Sequence, residues 1–283
     1  MRRILILGAS GYLGRALYKE LTPYFDLHGT YCTPNADYDQ NQVMHKFDMA
    51  SDSASELLSK VSPTEVVYAL GGPQDEQIQL LKVLVEYCRA NQARLIYLSS
   101  VAVFDAVRSH ASFENDKPQP QSAYGKHKSQ GERIVNDLPE SLATVLRLPL
   151  IIGTNAPVIR QLRQAHRHKA HFEVFPNHII SVNTDLEVMR QVHYVINQKL
   201  SGIYHLSSSD LIHHSDLFLE LSQKLGLNNM IFEYNYSSNE DEYRALLPKQ
   251  RPLPKQFSKT TTELINQVVL NQEISTLKVD KSQ

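Results

Sequence analysis

The sequence predicts an α/β protein built on a doubly wound parallel sheet. Two observations carry that reading. Through the first half of the chain, short apolar runs alternate with helix-length amphipathic segments, the pattern of a parallel sheet covered on both faces. The first apolar run, Ile4 to Leu7, ends in Gly8, with Gly11 and Gly14 following at spacings of three and Leu17 and Leu21 after them at helical intervals. That is a buried strand, a tight turn and a helix start.

The elements follow in order. Strands are predicted at 3–7, 26–31, 43–47, 65–69, 94–98 and 143–148. Helices are predicted near 12–21, 52–60, 75–90 and 122–137. The strands at 94–98 and 143–148 are apolar on both faces, as interior parallel strands should be. Beyond residue 150 a helix rich in Arg and His is expected at 157–169, with short strands near 172–175 and 178–182. A helix at 184–197 and the strand Gly202-Ile-Tyr-His-Leu206 read as a return to the main sheet. A helix at 214–225 comes next. Pro248, Pro252 and Pro254 exclude regular helix from 248–257. Residues 271–283 are polar and expected to fray.

Composition narrows the function classes. With 283 residues the chain can hold one large or two modest domains. Its 29 Lys and Arg balance 30 Asp and Glu, so neither nucleic acid nor an anionic membrane is an expected partner. Cys32 and Cys88 make no disulfide framework, which suits a reducing, cytoplasmic location. The opening Met-Arg-Arg-Ile-Leu-Ile-Leu resembles a leader, but its apolar run is short and reads as the first strand. No apolar stretch reaches the ~18 residues of a membrane span.

Three sites carry chemistry. In the glycine turn the backbone can approach a pyrophosphate, and the helix N-terminus attracts its charge. Tyr124 and Lys128 are four apart, so on a helix they share a face. Nearby positive charge favours the tyrosinate, which is expected to lower the Tyr124 pKa and let it exchange a proton near neutrality. Ser99-Ser100 lies just past the predicted strand 94–98, at the carboxyl end where parallel sheets place their ligands. The glycine turn and the serines should therefore open onto one crevice.

These residues, Gly8-x-x-Gly11-x-x-Gly14, Ser99-Ser100-Val-Ala-Val-Phe104, Tyr124-x-x-x-Lys128 and Arg147-Leu-Pro-Leu-Ile-Ile-Gly153, resemble the extended short-chain dehydrogenase/reductases. Val103-Phe104-Asp105, Gly202-Ile-Tyr-His-Leu206 and Arg251-Pro252 resemble its dTDP-4-dehydrorhamnose reductase-like, sugar nucleotide-binding branch. The resemblance covers almost the whole chain. It implies a Rossmann-type NAD(P)-binding domain over 1–150 and 182–206, and a smaller C-terminal substrate-binding domain over 151–181 and 207–283. It implies Tyr124 as general acid, Lys128 as the residue that lowers its pKa and holds the nicotinamide ribose, and Ser100 as the group that hydrogen-bonds the substrate oxygen. Cofactor contacts would come from Gly8, Ser10, Gly11, Tyr12, Leu13, Gly14, Tyr31, Asp48, Met49, Ala69, Leu70 and Gly71, together with Tyr124 and Lys128.

The implied activity is reduction of a carbonyl on a nucleotide-linked sugar or similar small molecule, with hydride from NADPH. The end of the second strand, Gly29-Thr30-Tyr31-Cys32, lacks the acid that would hold the ribose of NAD. NADP(H) is therefore favoured, with NAD(H) still allowed. Arg15 is a candidate phosphate contact or an exposed helix residue. Asp48 is a candidate adenine contact or a helix cap before Ser51. Val101-Ala102 replaces the acid/base pair of the dehydratases, which disfavours that reaction. An epimerase, or a non-catalytic NADP-binding regulatory or scaffold subunit, stays open. So does a homodimer. Departures from the branch are Tyr68-Ala-Leu-Gly-Gly72 in place of a small Asn-Ala-Ala stretch, Gln77 where an asparagine often supports a proton relay, Val101-Ala102 where the reductases usually have Asp-Tyr, and a short loop after the fourth strand.

Substrate selectivity is expected from the second half, where Arg160, Arg163, Lys249, Arg251 and Lys255 are candidates for a diphosphate. His166, His168 and His171 read as a solvated helix face more than a metal site. His213-His214 is expected beside a helix cap at Ser215, and Cys88 in the core. Asn235-Tyr-Ser matches a glycosylation sequon that has no use in the cytoplasm.

Overall fold

The structure, a computed structural model, describes residues 2–34, 38, 41–236 and 238–280, with 271–280 described as backbone alone. Two compact units divide the chain. The first comprises Met1–Val103, Pro120–Arg147 and Met189–Tyr204; the second Phe104–Gln119, Leu148–Val188 and His205–Gln283.

The first unit carries the strands β1 (Arg3–Leu7), β2 (Asp26–Tyr31), β3 (Met44–Lys46), β4 (Glu65–Tyr68), β5 (Arg94–Ser100) and β6 (Ala143–Leu148). Its helices are α1 (Tyr12–Leu21), α2 (Ala54–Val61), α3 (Gln74–Asn91) and α4 (Ala123–Val135). With β11 (Gly202–His205) the strands form one seven-stranded sheet in the order β11-β6-β5-β4-β1-β2-β3. The pairings β1–β2, β1–β4, β2–β3 and β4–β5 are parallel. The order runs outward from β1 in both directions, so the connections wind both ways and a crevice opens at the carboxyl ends of β1 and β4.

One face of the sheet is buried by Leu57, Leu58 and Val61 of α2, Ile78, Leu81, Leu84, Val85 and Cys88 of α3, and Val135 of α4, against Leu5, Leu7, Val66, Leu95 and Val145. Each such aliphatic side chain removed from water stabilises the fold by roughly 1.5–3 kcal/mol. Cys88 is core, and burial pushes its thiol up to about 12. Ser53 caps α2, its hydroxyl accepting from the Glu56 N–H. Glu65 at the start of β4 pairs with Arg2 at 2.7 Å and Arg94 at 3.0 Å, tying the amino ends of three strands together.

The second unit contains β7 (Leu150–Ile151), α5 (Pro157–His168), β8 (His171–Val174), β9 (His178–Ile180), β10 (Val182–Asn183), β12 (Ile212–His213), α7 (His214–Lys224), β13 (Ile231–Tyr234), β14 (Glu242–Arg244) and α8 (Thr261–Asp280). The helix α6 (Asp185–Asn197) leads back into the first unit. The small sheets are β7–β10, β12–β9–β14 and β8–β13.

Several expectations are corrected here. The single strand 178–182 is two strands in different sheets, because Ser181 turns its hydroxyl to the Leu246 N–H between them. The cap of α7 is His213; Ser215 lies inside the helix. The expected fraying of 271–283 gives way to helical backbone through Asp280, and 281–283 lie outside the described residues. Among the described residues no helix is long and apolar enough to cross a membrane.

Candidate functional site

The glycine turn leaves β1 through Gly8, whose φ of +85° is a conformation that L side chains rarely adopt. A Cβ there would stand 2.8 Å from the Ala69 carbonyl oxygen, and one on Gly14 would overlap the Gly8 carbonyl. The turn is thus packed against the loop after β4 and against the first turn of α1. Thr30, buried on β2, braces it by accepting from the Gly8 N–H at 2.9 Å through its hydroxyl and from the Ser10 N–H through its carbonyl. Gly11 is the N-cap of α1; no side chain caps that end and no acid stands in its first turn. Tyr12, Leu13 and Gly14 thus stand where helix N–H groups lack intrahelical acceptors and attract an anion. Arg15 is exposed in the same turn.

The other expected contacts line up along neighbouring strand ends. Tyr31 is buried at the end of β2, its ring 5.2 Å from that of Tyr38, and Cys32 beyond it is exposed. Asp48 follows β3 and makes a turn of its own: its Oδ1 accepts from the Ala50 N–H at 3.0 Å. It does not cap α2, a role that Ser53 fills. The Met49 methyl stands near Gly72 (φ +112°), while Ala69 and Leu70 are half-buried and Gly71 is open. Gln77 is buried, donates to the Gly72 carbonyl at 2.8 Å and faces His127 Nε2 at 3.3 Å. It ties the loop after β4 to α4 from the position where the family often has an asparagine.

Ser99 and Ser100 end β5 rather than following it. Ser122 caps α4, accepting from the Gly125 N–H, so the helix starts at Ala123 and sets Tyr124 in its first turn. The Ser100 hydroxyl stands near enough to the Tyr124 phenol to favour its charged form. Lys128 is buried, donates from Nζ to the Leu98 carbonyl at 3.1 Å, and lies 4.9 Å from the Tyr97 ring centroid and 5.9 Å from that of Tyr124. The fold therefore brings Ser100, Tyr124 and Lys128 together.

Their electrostatics differ from the sequence expectation. Tyr124 is half-exposed overall, yet burial around its hydroxyl pushes its pKa up, with the Ser100 hydroxyl pulling the other way. Burial outweighs the pull of the neighbouring Lys128. Burial brings Lys128 itself down to about 8, opposed by the charge of Glu132.

Glu132, which the sequence did not single out, stands behind this group with Arg147 and Ser99. Glu132, one turn after Lys128, forms a buried two-point pair with Arg147 of β6, with distances of 3.0 Å (Nε to Oε1) and 2.8 Å (Nη2 to Oε2). Ser99 donates to the same carboxylate. The signal was present as Tyr-x-x-x-Lys-x-x-x-Glu, three groups on one helix stripe.

The expected substrate contacts belong to the second unit. Arg163 Nη1 donates to the Thr154 carbonyl at 2.8 Å, and the Lys249 ammonium sits 4.8 Å from the Phe113 ring centroid. Arg160, Arg251 and Lys255 are exposed. His166 meets the Asn228 carbonyl and His171 meets Glu233. Among the described residues no three His, Cys, Asp or Glu are placed to hold a metal.

The family model for the RmlD substrate binding domain matches residues 1–263. The chain belongs to this family. As an RmlD substrate binding domain protein it is similar to methionine adenosyltransferase 2 subunit beta of Xenopus tropicalis, 34% identical over 164 residues, or 54% of this chain and 48% of that one. The chain thus spans about half the length of that curated relative. Its fold matches that of a dTDP-4-dehydrorhamnose reductase from Clostridium acetobutylicum, with a TM-score of 0.77 and 19% identity over 96% of this chain and 99% of that one. It also matches the dTDP-4-dehydrorhamnose reductase from Bacillus anthracis solved in complex with NADP, with a TM-score of 0.76 and 17% identity over 96% and 99%.

Proposed function

We propose that the protein is an NAD(P)-dependent reductase acting on a carbonyl of a nucleotide-linked sugar or a similar small molecule. The observation that carries this is the meeting of Ser100, Tyr124 and Lys128 at the carboxyl end of β5, in the same unit as the glycine turn. The residues present fit a dinucleotide. The turn has no room for a Cβ at Gly8 or Gly14, and α1 begins without a side-chain cap or an acid. Gly8, Ser10, Gly11, Tyr12, Leu13 and Gly14 would hold its phosphates; Tyr31, Asp48, Met49, Ala69, Leu70 and Gly71 its remaining groups. The absence of an acid at the end of β2 and the NADP complex of the Bacillus anthracis reductase support NADP(H). When bound, the dinucleotide would supply the hydride.

The protein's own part is orientation and the proton. Ser100 would hydrogen-bond the carbonyl oxygen. Tyr124 keeps its proton at neutral pH, as an ordinary phenol does, and burial raises its pKa further, which suits a general acid donating to an oxygen that becomes an alcohol. Lys128, close to its titration point, would hold the ribose and offset the charge left on Tyr124. Tyr124→Phe should lower NADPH oxidation with a keto-sugar nucleotide by about 10²–10⁴-fold, leaving dinucleotide affinity within about twofold. No turnover across a panel of such substrates would sink the reading.

The likeness to a protein named as a subunit of methionine adenosyltransferase favours a second reading, a dinucleotide-binding partner of another enzyme. It predicts a stable complex with a methionine adenosyltransferase on gel filtration, formed equally well by Tyr124→Phe.

A further inference from the structure

A fully buried ion pair is expensive, since desolvation of both charges can exceed their attraction, and its presence alone says little about stability. The Glu132–Arg147 pair lies almost wholly out of solvent, with side-chain exposures of 3% and 1%. Every hydrogen bond shown for the Glu132 carboxylate fixes it in place: Arg147 reaches both oxygens, and Ser99 donates to Oε1. Four residues earlier on α4, on the same stripe, stands Lys128, itself 7% exposed. A buried ammonium needs a counter-charge. The titratable groups shown against it are Tyr124, His127 and Glu132 of α4 and Tyr97 of β5. Glu132 is the carboxylate that acts on Lys128; Asp75 of α3 acts on His127.

We propose that Glu132, locked by Arg147 and Ser99, is a positioning residue that keeps Lys128 an ammonium aimed at the Leu98 carbonyl beside Tyr124. The role deepens the reductase reading, on which its use to catalysis rests. Arg147 alone would set a second buried cation behind Lys128; Glu132 turns the pair into a support for it. The helix-to-strand pairing also fixes the face of α4 that Tyr124 and Lys128 share.

The test is a direct titration of Lys128 in the whole protein, labelled with carbon-13 at lysine Cε and read by NMR, the resonance being assigned by its loss in Lys128→Arg. Burial already brings this midpoint down to about 8. Glu132→Gln should lower it further, by about one pH unit or more, and Glu132→Asp should restore part of the difference. Should the lone Arg147 prevent folding, Glu132→Gln combined with Arg147→Met removes the buried pair as a unit, a change that folds tolerate, and should lower the midpoint by a smaller amount, because the repulsion of Arg147 leaves with the attraction of Glu132. A folded variant that titrates as the parent overturns the proposal. The readout needs no substrate, so a protein without reductase activity but with a shifted Lys128 would fail the functional reading and retain this one.

Discussion

At the scale of single residues, Gly14 and Gly11 separate two reasons for a glycine. A Cβ on Gly14 would overlap the Gly8 carbonyl oxygen, which belongs to rigid backbone, whereas one on Gly11 would stand 3.2 Å from that oxygen. Gly14→Ala should therefore destabilise the fold by about 2–4 kcal/mol, and Gly11→Ala by about 1 kcal/mol, measured by urea denaturation. Equal stability of Gly14→Ala and the parent would refute the close approach. The glycines, Ser100, Tyr124 and Lys128 were legible because each acts through sequence spacing: a turn, a strand end, a helix stripe. Arg147 was not, although its motif was visible. Inside the apolar strand Ala-Thr-Val-Leu-Arg-Leu148, an arginine has meaning only once α4 brings Glu132 against it, and no local pattern encodes that meeting. The direction of the Tyr124 shift was missed for a related reason. Spacing shows that Lys128 is near, but burial around the phenol is a tertiary quantity, and it dominates.

At the scale of elements, the contact of α4 with β5 sets the site. Gly131 faces Tyr97, and a Cβ there would overlap the Tyr97 hydroxyl. That hydroxyl is buried and finds no hydrogen-bond partner among the described residues. Tyr97→Phe should then be neutral or stabilising by up to about 1 kcal/mol, since it removes an unsatisfied polar atom. It should also relieve part of the penalty of Gly131→Ala, the remainder coming from the ring Cζ at 2.7 Å, which phenylalanine keeps, and from Leu81 Cδ1 at 3.2 Å. A double-mutant cycle should return a coupling above about 0.5 kcal/mol; additive effects would show that the helix shifts instead. The elements of the first half were legible almost to the residue, because each buries a full strand or helix face. The pieces missed in the second half, β7, β12, β13 and β14, have two to four residues each. Strands that short complete no hydrophobic period, and tertiary partners alone define them.

At the scale of the whole molecule, both units bury neutral histidines. Burial is the first cause of a lowered pKa for His28, His45 and His127 in the first unit, and for His178 and His214 in the second. His178 and His214 fall to about 4. His28 Nδ1 and His45 Nε2 share one hydrogen bond at 2.9 Å, which two imidazolium rings could not make. His178 stacks on Phe175, whose N–H donates to His214 Nδ1, so protonating that nitrogen breaks the bond. In the unfolded chain these rings take up a proton near pH 6.5. Between there and about pH 4 the unfolded state thus binds more protons, so stability falls as pH falls across that window and is fully present above it. Each strongly shifted histidine contributes on the order of 1–3 kcal/mol. Denaturant midpoints should drop steadily from about pH 7 to about pH 4.5, and His178→Gln should flatten part of the slope. A midpoint constant across that range would mean that the histidines are solvated enough to titrate alike in both states.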